Sequence, residues 1–218
     1  MALKISKTSL LLISMVVFFS GFFLGWRLKP QTGTLYKVVE VVDGDTFFIA
    51  NHQLVRVDGL DAPELVNCYG QQSKEALKAM IEGKSVELRE IKIDSYGNRI
   101  LALVYLNGKL INESLIKNGL AVYQGSGNSN TPQLKEANQL ARENYLGIFS
   151  SKCYQTTPPD PKCTLKGNID RHGAGKVYYP PDCRIYNSVA VELYLGDAWF
   201  CSIAQAKKAG FVLAPTCR

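Results

Sequence analysis

Between residues 41 and 64 the chain reads VVDGDTFFIANHQLVRVDGLDAPE, and five side chains in it could do chemistry together. Asp43 and Asp45 form one acidic pair, Asp61 and Glu64 another, and Arg56 stands between them. Short apolar runs separate the pairs, so an antiparallel hairpin would bring the acids to one end. Asp45 would start one strand, Asp61 would follow its partner, and Pro63 would fix the turn that carries Glu64. Carboxylate oxygens suit a hard cation such as calcium or magnesium. A guanidinium suits the paired oxygens of a phosphate. Either acidic pair alone reads as an ordinary turn with solvated carboxylates. Both pairs on one hairpin, with Arg56 between, point to a cation-and-phosphate site.

The elements that would position these residues are mostly strands. Residues 36–42, 46–50 and 53–60 are rich in β-branched and aromatic side chains, with Asn51-His52 as the turn before the third run. Residues 68–82 change period: Ala76, Leu77, Met80 and Ile81 make one helical face, closed by Gly83. Residues 85–93 and 100–106 return to strand around the DSYGNR turn, and Asn107-Gly108 is a hairpin signal. Asn112 offers an N-cap for a short helix ending at Gly119. A last strand follows at 120–123, then a polar loop. Thr131-Pro132 reads as a cap with proline at the first helical position, opening a helix that runs towards Gly147. Five strands and three helices fit a mainly β, α+β domain, with an OB-type barrel as the common solution.

Four basic and no acidic residues lie in 1–35, 13 basic and 14 acidic in 36–152, and eight basic and five acidic in 153–218. The formal net charge of +6 therefore sits outside the central domain. Phosphate contacts there must come from particular residues, not from a basic surface. Residues 9–26 form an uncharged run of 18 residues flanked by Lys4, Lys7, Arg27 and Lys29. That length suits a membrane-spanning helix better than a signal peptide, and no small-x-small cleavage site follows. Residues 1–29 are therefore expected to be an N-terminal anchor or a signal peptide, with the rest exported and either membrane-anchored or secreted. The membrane is a partner if the segment is not cleaved, and no protein partner can be inferred.

Residues 151–161 have the composition of a linker. Residues 162–218 form a small cysteine-containing piece with aromatic strand runs and one short helix, stopped by Gly210. A piece this small gains from bridges or a bound metal. In it Trp199, Tyr178 and Tyr179 are expected in the core. The six cysteines are Cys68, Cys153, Cys163, Cys183, Cys201 and Cys217. They admit disulfides, buried thiols or a zinc site, although no C-x-x-C pair supports zinc.

The motifs VVDGDT, RVDGLDAPE, DSYGNR and LVYLNGKLINESLIKNGLA occur in this order within 36–150. Together they resemble the thermonuclease (staphylococcal nuclease) family. That resemblance implies a five-stranded OB barrel with three helices and calcium-dependent cleavage of DNA and RNA. It implies that Asp45 and Asp61 hold Ca2+ through their carboxylates and Ala62 through its backbone carbonyl, with Asp43 behind them. It makes Glu64 the general base and Arg56 and Arg99 the phosphate grips. Tyr96 and Tyr123 resemble the tyrosines that line the family's nucleotide pocket. One departure concerns the family's D-x-Y-G-R turn, which here carries an extra residue, Asn98. Counting back from Arg99-Ile100-Leu101-Ala102 keeps Arg99 in register if a bulged turn absorbs Asn98. Beyond the barrel, residues 162–218 resemble a small module found after some secreted nucleases of this family, marked by KGN, YYPPDC and WFC. The competing expectation is a non-catalytic OB module that holds nucleic acid or another ligand, since fold alone does not assign function.

Overall fold

Strict alternation over four residues decides how the sheet closes. In β3 (Leu54–Val57), Val55 and Val57 are fully buried while Leu54 and Arg56 face outward. The computed structural model describes residues 34–94, 99–125, 127–170 and 175–217. The apolar segment at the N-terminus and Tyr96 lie outside these residues. Among the described residues, no helix is long and apolar enough to cross a membrane.

β1 (Leu35–Val41) pairs antiparallel with β2 (Thr46–Ile49) on one side and β5 (Ser85–Ile93) on the other. β2 pairs with β3, and β5 with β6 (Arg99–Leu106). β6 then runs parallel to β3, aligning Arg56 with Leu101 and Val57 with Ala102. Five strands thus form a ring, as the sequence predicts. Register shifts in β1 between Val38 and Glu40, and in β5 between Arg89 and Lys92, supply the bends a small ring needs. Val38, Phe47, Ile49, Val55, Val57, Val86, Ala102 and Val104 fill the interior.

The run 53–60 is not one strand. Gly59 takes a positive φ of 80° and turns the chain out of the ring. Leu60 and Asp61 then form a separate short strand, β4, paired with β8 (Val122–Tyr123). The Asn107-Gly108 hairpin is as expected, with φ of 50° and 80°, and leads into β7 (Lys109–Leu110).

Helix α1 (Gly70–Ile81) buries Gly70, Ser73, Leu77 and Ile81 on one stripe. Its first turn is lined by small residues, because there it meets site loops and not the apolar core. In α2 (Ile111–Lys117) the sequence reading needs correction: Leu110 precedes the helix and Asn112 lies inside it. Asn112 is fully buried. Its Oδ1 accepts from Val104 N at 2.9 Å, and its Nδ2 donates to Asp58 O at 2.7 Å. It ties α2 to β6 and to the end of β3. Asn112→Ala leaves a buried donor and a buried acceptor unpaired, so a loss of about 3 kcal/mol is expected in urea denaturation. A loss below about 0.5 kcal/mol would contradict this role. α3 (Thr131–Glu143) starts one residue earlier than read, with Asn130 ahead of it.

After α3 the chain adds β9 (Tyr154–Gln155), which pairs with β12 (Val191–Glu192). The C-terminal part is a four-stranded sheet of β10 (Leu165–Asp170), β11 (Gly175–Tyr179), β13 (Ala198–Phe200) and β14 (Val212–Leu213), in the order β13-β10-β11-β14. Helix α4 (Ile203–Lys208) is capped by Ser202. Cys163–Cys201 and Cys183–Cys217 bridge this sheet region, and Cys68–Cys153 joins the start of α1 to the chain just before β9. Every cysteine is bridged, so none remains as a thiolate for zinc. Tyr178 is buried, and Trp199 is half-buried with its Nε1 donating to Gln155 Oε1 at 2.8 Å.

Candidate active site

The DGD loop is tight because Thr46 O accepts from both Val42 N, at 2.8 Å, and Asp43 N, at 3.3 Å. Asp43 Oδ1 accepts from Asp45 N at 3.0 Å, which fixes the Asp45 backbone in the loop. β2–β3 pairing sets Thr46 opposite Arg56, so Asp45 falls beside the guanidinium. The Gly59 turn returns Asp61 to the other side of it. Arg56 Nη1 donates to Asp45 Oδ1 and Nη2 to Asp61 Oδ1, each at 2.6 Å. The two arms of one guanidinium thus span the two carboxylates. Thr46 Oγ1 also donates to Asp45 Oδ1 (2.8 Å), and Ala62 N to Asp45 Oδ2 (2.9 Å).

The DGD and DAPE loops can approach because residue 44 is glycine. A Cβ there would lie 2.6 Å from Ala62 Cβ and 2.7 Å from Ser73 Cβ, closer than carbon atoms pack. Likewise a Cβ on Gly70 would run into the Glu64 carbonyl oxygen. The small residues at the start of α1 therefore serve the site.

The structure brings Asp45, Arg56, Asp61 and Ala62 together. Glu64 sits on the exposed rim of the same loop, outside the Arg56 cluster. Arg99 belongs to a different ion pair: its Nε and Nη2 donate to Asp94 Oδ2 at 3.0 and 2.6 Å. Parallel pairing aligns Leu101 with Arg56, so Arg99 lies one pleat along on the same outward face, with its Cα about 8 Å from that of Arg56. Sequence reading did not assign Asp94 as the partner of Arg99. The signal was an acid five positions before an arginine. Tyr123 pairs with Leu60 in β4–β8, which places it one position from Asp61. Its N–H is held by Asn138 Oδ1 at 3.0 Å.

A cavity of about 320 Å³ opens beside this face, lined by Arg56, Asp58, Lys92, Leu101, Gln124 and Gly125 among others. Two of its side chains are cationic and Leu101 offers an apolar wall. Lys92 Nζ lies 3.4 Å from Asp58 Oδ2. A larger cavity of about 520 Å³, lined by Lys109, Glu113, Lys117 and Leu140 among others, contains none of the candidate residues. Size therefore does not locate the site.

Burial raises the Asp45 carboxyl to about 7, with Asp43 adding to the rise, against the pull of Arg56 and of the Ala62 and Thr46 donors. Burial works to lower the Arg56 pKa, but Asp45 and Asp61 outweigh it and hold the guanidinium above its ordinary value. The oxygens gathered around Arg56 are those of the Asp45 and Asp61 carboxylates, without sulfur or imidazole. That donor chemistry fits calcium or magnesium. A cation held by Asp45 would need that carboxyl ionised, so its affinity would rise about tenfold per pH unit below 7 and level off above it. In the metal-free protein the sign is opposite. Folding raises this carboxyl from 3.8 to about 7, so it stabilises the fold fully below about 4, and that contribution is lost as pH rises through 7. Denaturation in chelator at pH 5 and pH 8 should show Asp45→Asn gaining stability relative to the native chain at the higher pH. An unchanged difference would contradict the raised carboxyl.

The family model described as staphylococcal nuclease homologue matches residues 54–151, which include Arg56, Asp61, Glu64 and Arg99 but not Asp45. An uncharacterized endonuclease of Escherichia coli is 32% identical over 118 residues, 52% of this chain and 76% of that protein. The thermonuclease of Staphylococcus hyicus is 35% identical over 113 residues, 47% of this chain and 66% of that protein. A probable staphylococcal-like nuclease of Oryza sativa subsp. japonica is 37% identical over 86 residues, 39% of this chain. The matched region spans only 22% of the rice protein's length.

Proposed function

The chain belongs to the staphylococcal nuclease family, and from that premise we propose that it is a calcium-dependent hydrolase of phosphodiester bonds in DNA or RNA. The observation that carries this reading is the Arg56 guanidinium held between Asp45 and Asp61 at 2.6 Å on each side, next to a cavity lined by Arg56 and Lys92. Asp45, Asp61 and the Ala62 carbonyl would hold the cation. When bound, calcium neutralises charge on the phosphate oxygens and makes a nearby water easier to deprotonate.

The chain's own residues do the rest. Glu64 accepts a proton from the water whose oxygen attacks phosphorus. Arg56 exchanges contacts with Asp45 and Asp61 for non-bridging oxygens of the phosphate and holds the five-coordinate phosphorus more tightly than the ground state. Arg99 lies on the same face and steadies the leaving oxygen as the P–O bond breaks. Tyr123, one position from Asp61 in the β4–β8 pairing, offers a face for a base, a contact that tolerates any sequence. The three disulfides and the apolar segment at 9–26 support export of the domain, anchored or secreted.

The test is incubation of the full chain with end-labelled denatured DNA and with RNA, in calcium and in chelator. Shortened products in calcium and intact polymer in chelator are expected. A polymer that is retained but never shortened would favour the non-catalytic binding module.

A further inference from the structure

The segment that carries Glu64 is held from a direction the barrel does not explain. Residues 64–70 form a compact loop: Asn67 N donates to Glu64 O at 2.8 Å, and Gly70 N to Asn67 O at 3.0 Å. Its outer side rests on the short 3-10 turn Leu193–Leu195 of the C-terminal part. Asn67 Nδ2 donates to Tyr194 O (3.3 Å), and Cys68 N lies 3.4 Å from Leu193 O. Cys68 is bridged to Cys153, and Cys153 O in turn accepts from Leu193 N at 2.8 Å. Tyr194 is buried against Phe149, Cys153 and Cys68.

The turn is itself fixed from within its own sheet. Asp197 accepts from Ile169 N and Glu192 N, at 2.8 and 2.9 Å, and from Asn168 Nδ2 at 2.8 Å. A chain of hydrogen bonds therefore runs from β10 through Asp197 and the 193–195 turn to the loop of Glu64. Glu64 is exposed, so packing on its own side chain does not hold it. What fixes it is the backbone of its loop.

We propose that the C-terminal part, acting through Asn67, the Cys68–Cys153 bridge and the Leu193–Leu195 turn, positions Glu64 for proton abstraction. Asn67 and Cys68 are positioning residues for the base. This rests on the reading of Glu64 as the base. A misplacement of about 1 Å in such a group can cost on the order of a hundredfold in rate.

The test compares Asn67→Ala, which keeps the bridge, and Cys68→Ala/Cys153→Ala, each in the native and in the Glu64→Gln background. Rates are measured on denatured DNA at a temperature where every variant is folded. A Cys183→Ala/Cys217→Ala variant, which removes a bridge within the C-terminal part, is the control. The expected result is a kcat fall of about ten- to a hundredfold with KM within about twofold. No further fall is expected in the Glu64→Gln background, and no kcat fall in the control. Equal losses in both backgrounds would show a general structural effect and overturn the proposal. Native kcat in Asn67→Ala and the Cys68/Cys153 variant, with Glu64→Gln inactive, would overturn the positioning role and leave the base intact. Full activity of Glu64→Gln would overturn the base, and the positioning with it.

Discussion

Arg56→Ala is expected to lower turnover of denatured DNA by about a thousandfold, the scale for loss of a group that binds developing charge. The same change should weaken the metal-free fold by roughly 3 kcal/mol, because Asp45 is buried and its counter-charge would be gone. These effects separate on adding calcium. A cation held by Asp45 and Asp61 would replace the missing positive charge and restore much of the stability. It would not replace the Arg56 grip on phosphate, so activity would stay low. Arg56→Lys should behave much like alanine in turnover, since one ammonium cannot reproduce two arms that each reach a carboxylate at 2.6 Å. Initial rates and urea denaturation, with and without calcium, check this. Activity of Arg56→Ala within about tenfold of the native chain would remove Arg56 from the chemistry.

Glu64→Gln should show the opposite pattern. Its side chain is exposed, so the fold should be unchanged within about 0.5 kcal/mol. The cation is assigned to other oxygens, so calcium affinity should change little. Turnover should nevertheless fall by about two to four orders of magnitude, the typical range for losing a general base. Calorimetric calcium titration and single-turnover rates give both readouts. An equal loss of calcium affinity and turnover would make Glu64 a ligand and not the base.

The ring of strands was legible because its signals are local and periodic. Val55 and Val57 alternate with Arg56, and Asn107-Gly108 has the positive-φ residues its turn requires. The meeting of Asp45 and Asp61 at Arg56 was legible, although the Gly59 turn returns Asp61 and Glu64 stays on the exposed rim. Asn112 misled because an asparagine before an apolar run usually caps a helix. Here two distant backbone groups, Val104 N and Asp58 O, offered it better partners than the helix end. The break at Gly59 was hidden because the apolar pattern runs through it, and only the pairing of Leu60 with Tyr123 gives the turn its purpose. Arg99 could be placed on its strand but not paired. Its partner Asp94 lies five positions upstream, and the sequence does not say whether that acid faces in or out. The contact between Asn67 and Tyr194 spans 127 positions, a range at which no local pattern reports.

The most direct measurement is the initial rate of denatured-DNA cleavage against free calcium, for the native chain and for Asp61→Asn. The expected result is no cleavage in chelator and a rate that saturates with calcium in the native chain. For Asp61→Asn, half-saturation should move upward by at least about tenfold, the scale of a weakened metal site. A native rate that is the same in chelator as in calcium, or curves for the two chains that superimpose, would contradict a reactive cation held at Asp45 and Asp61.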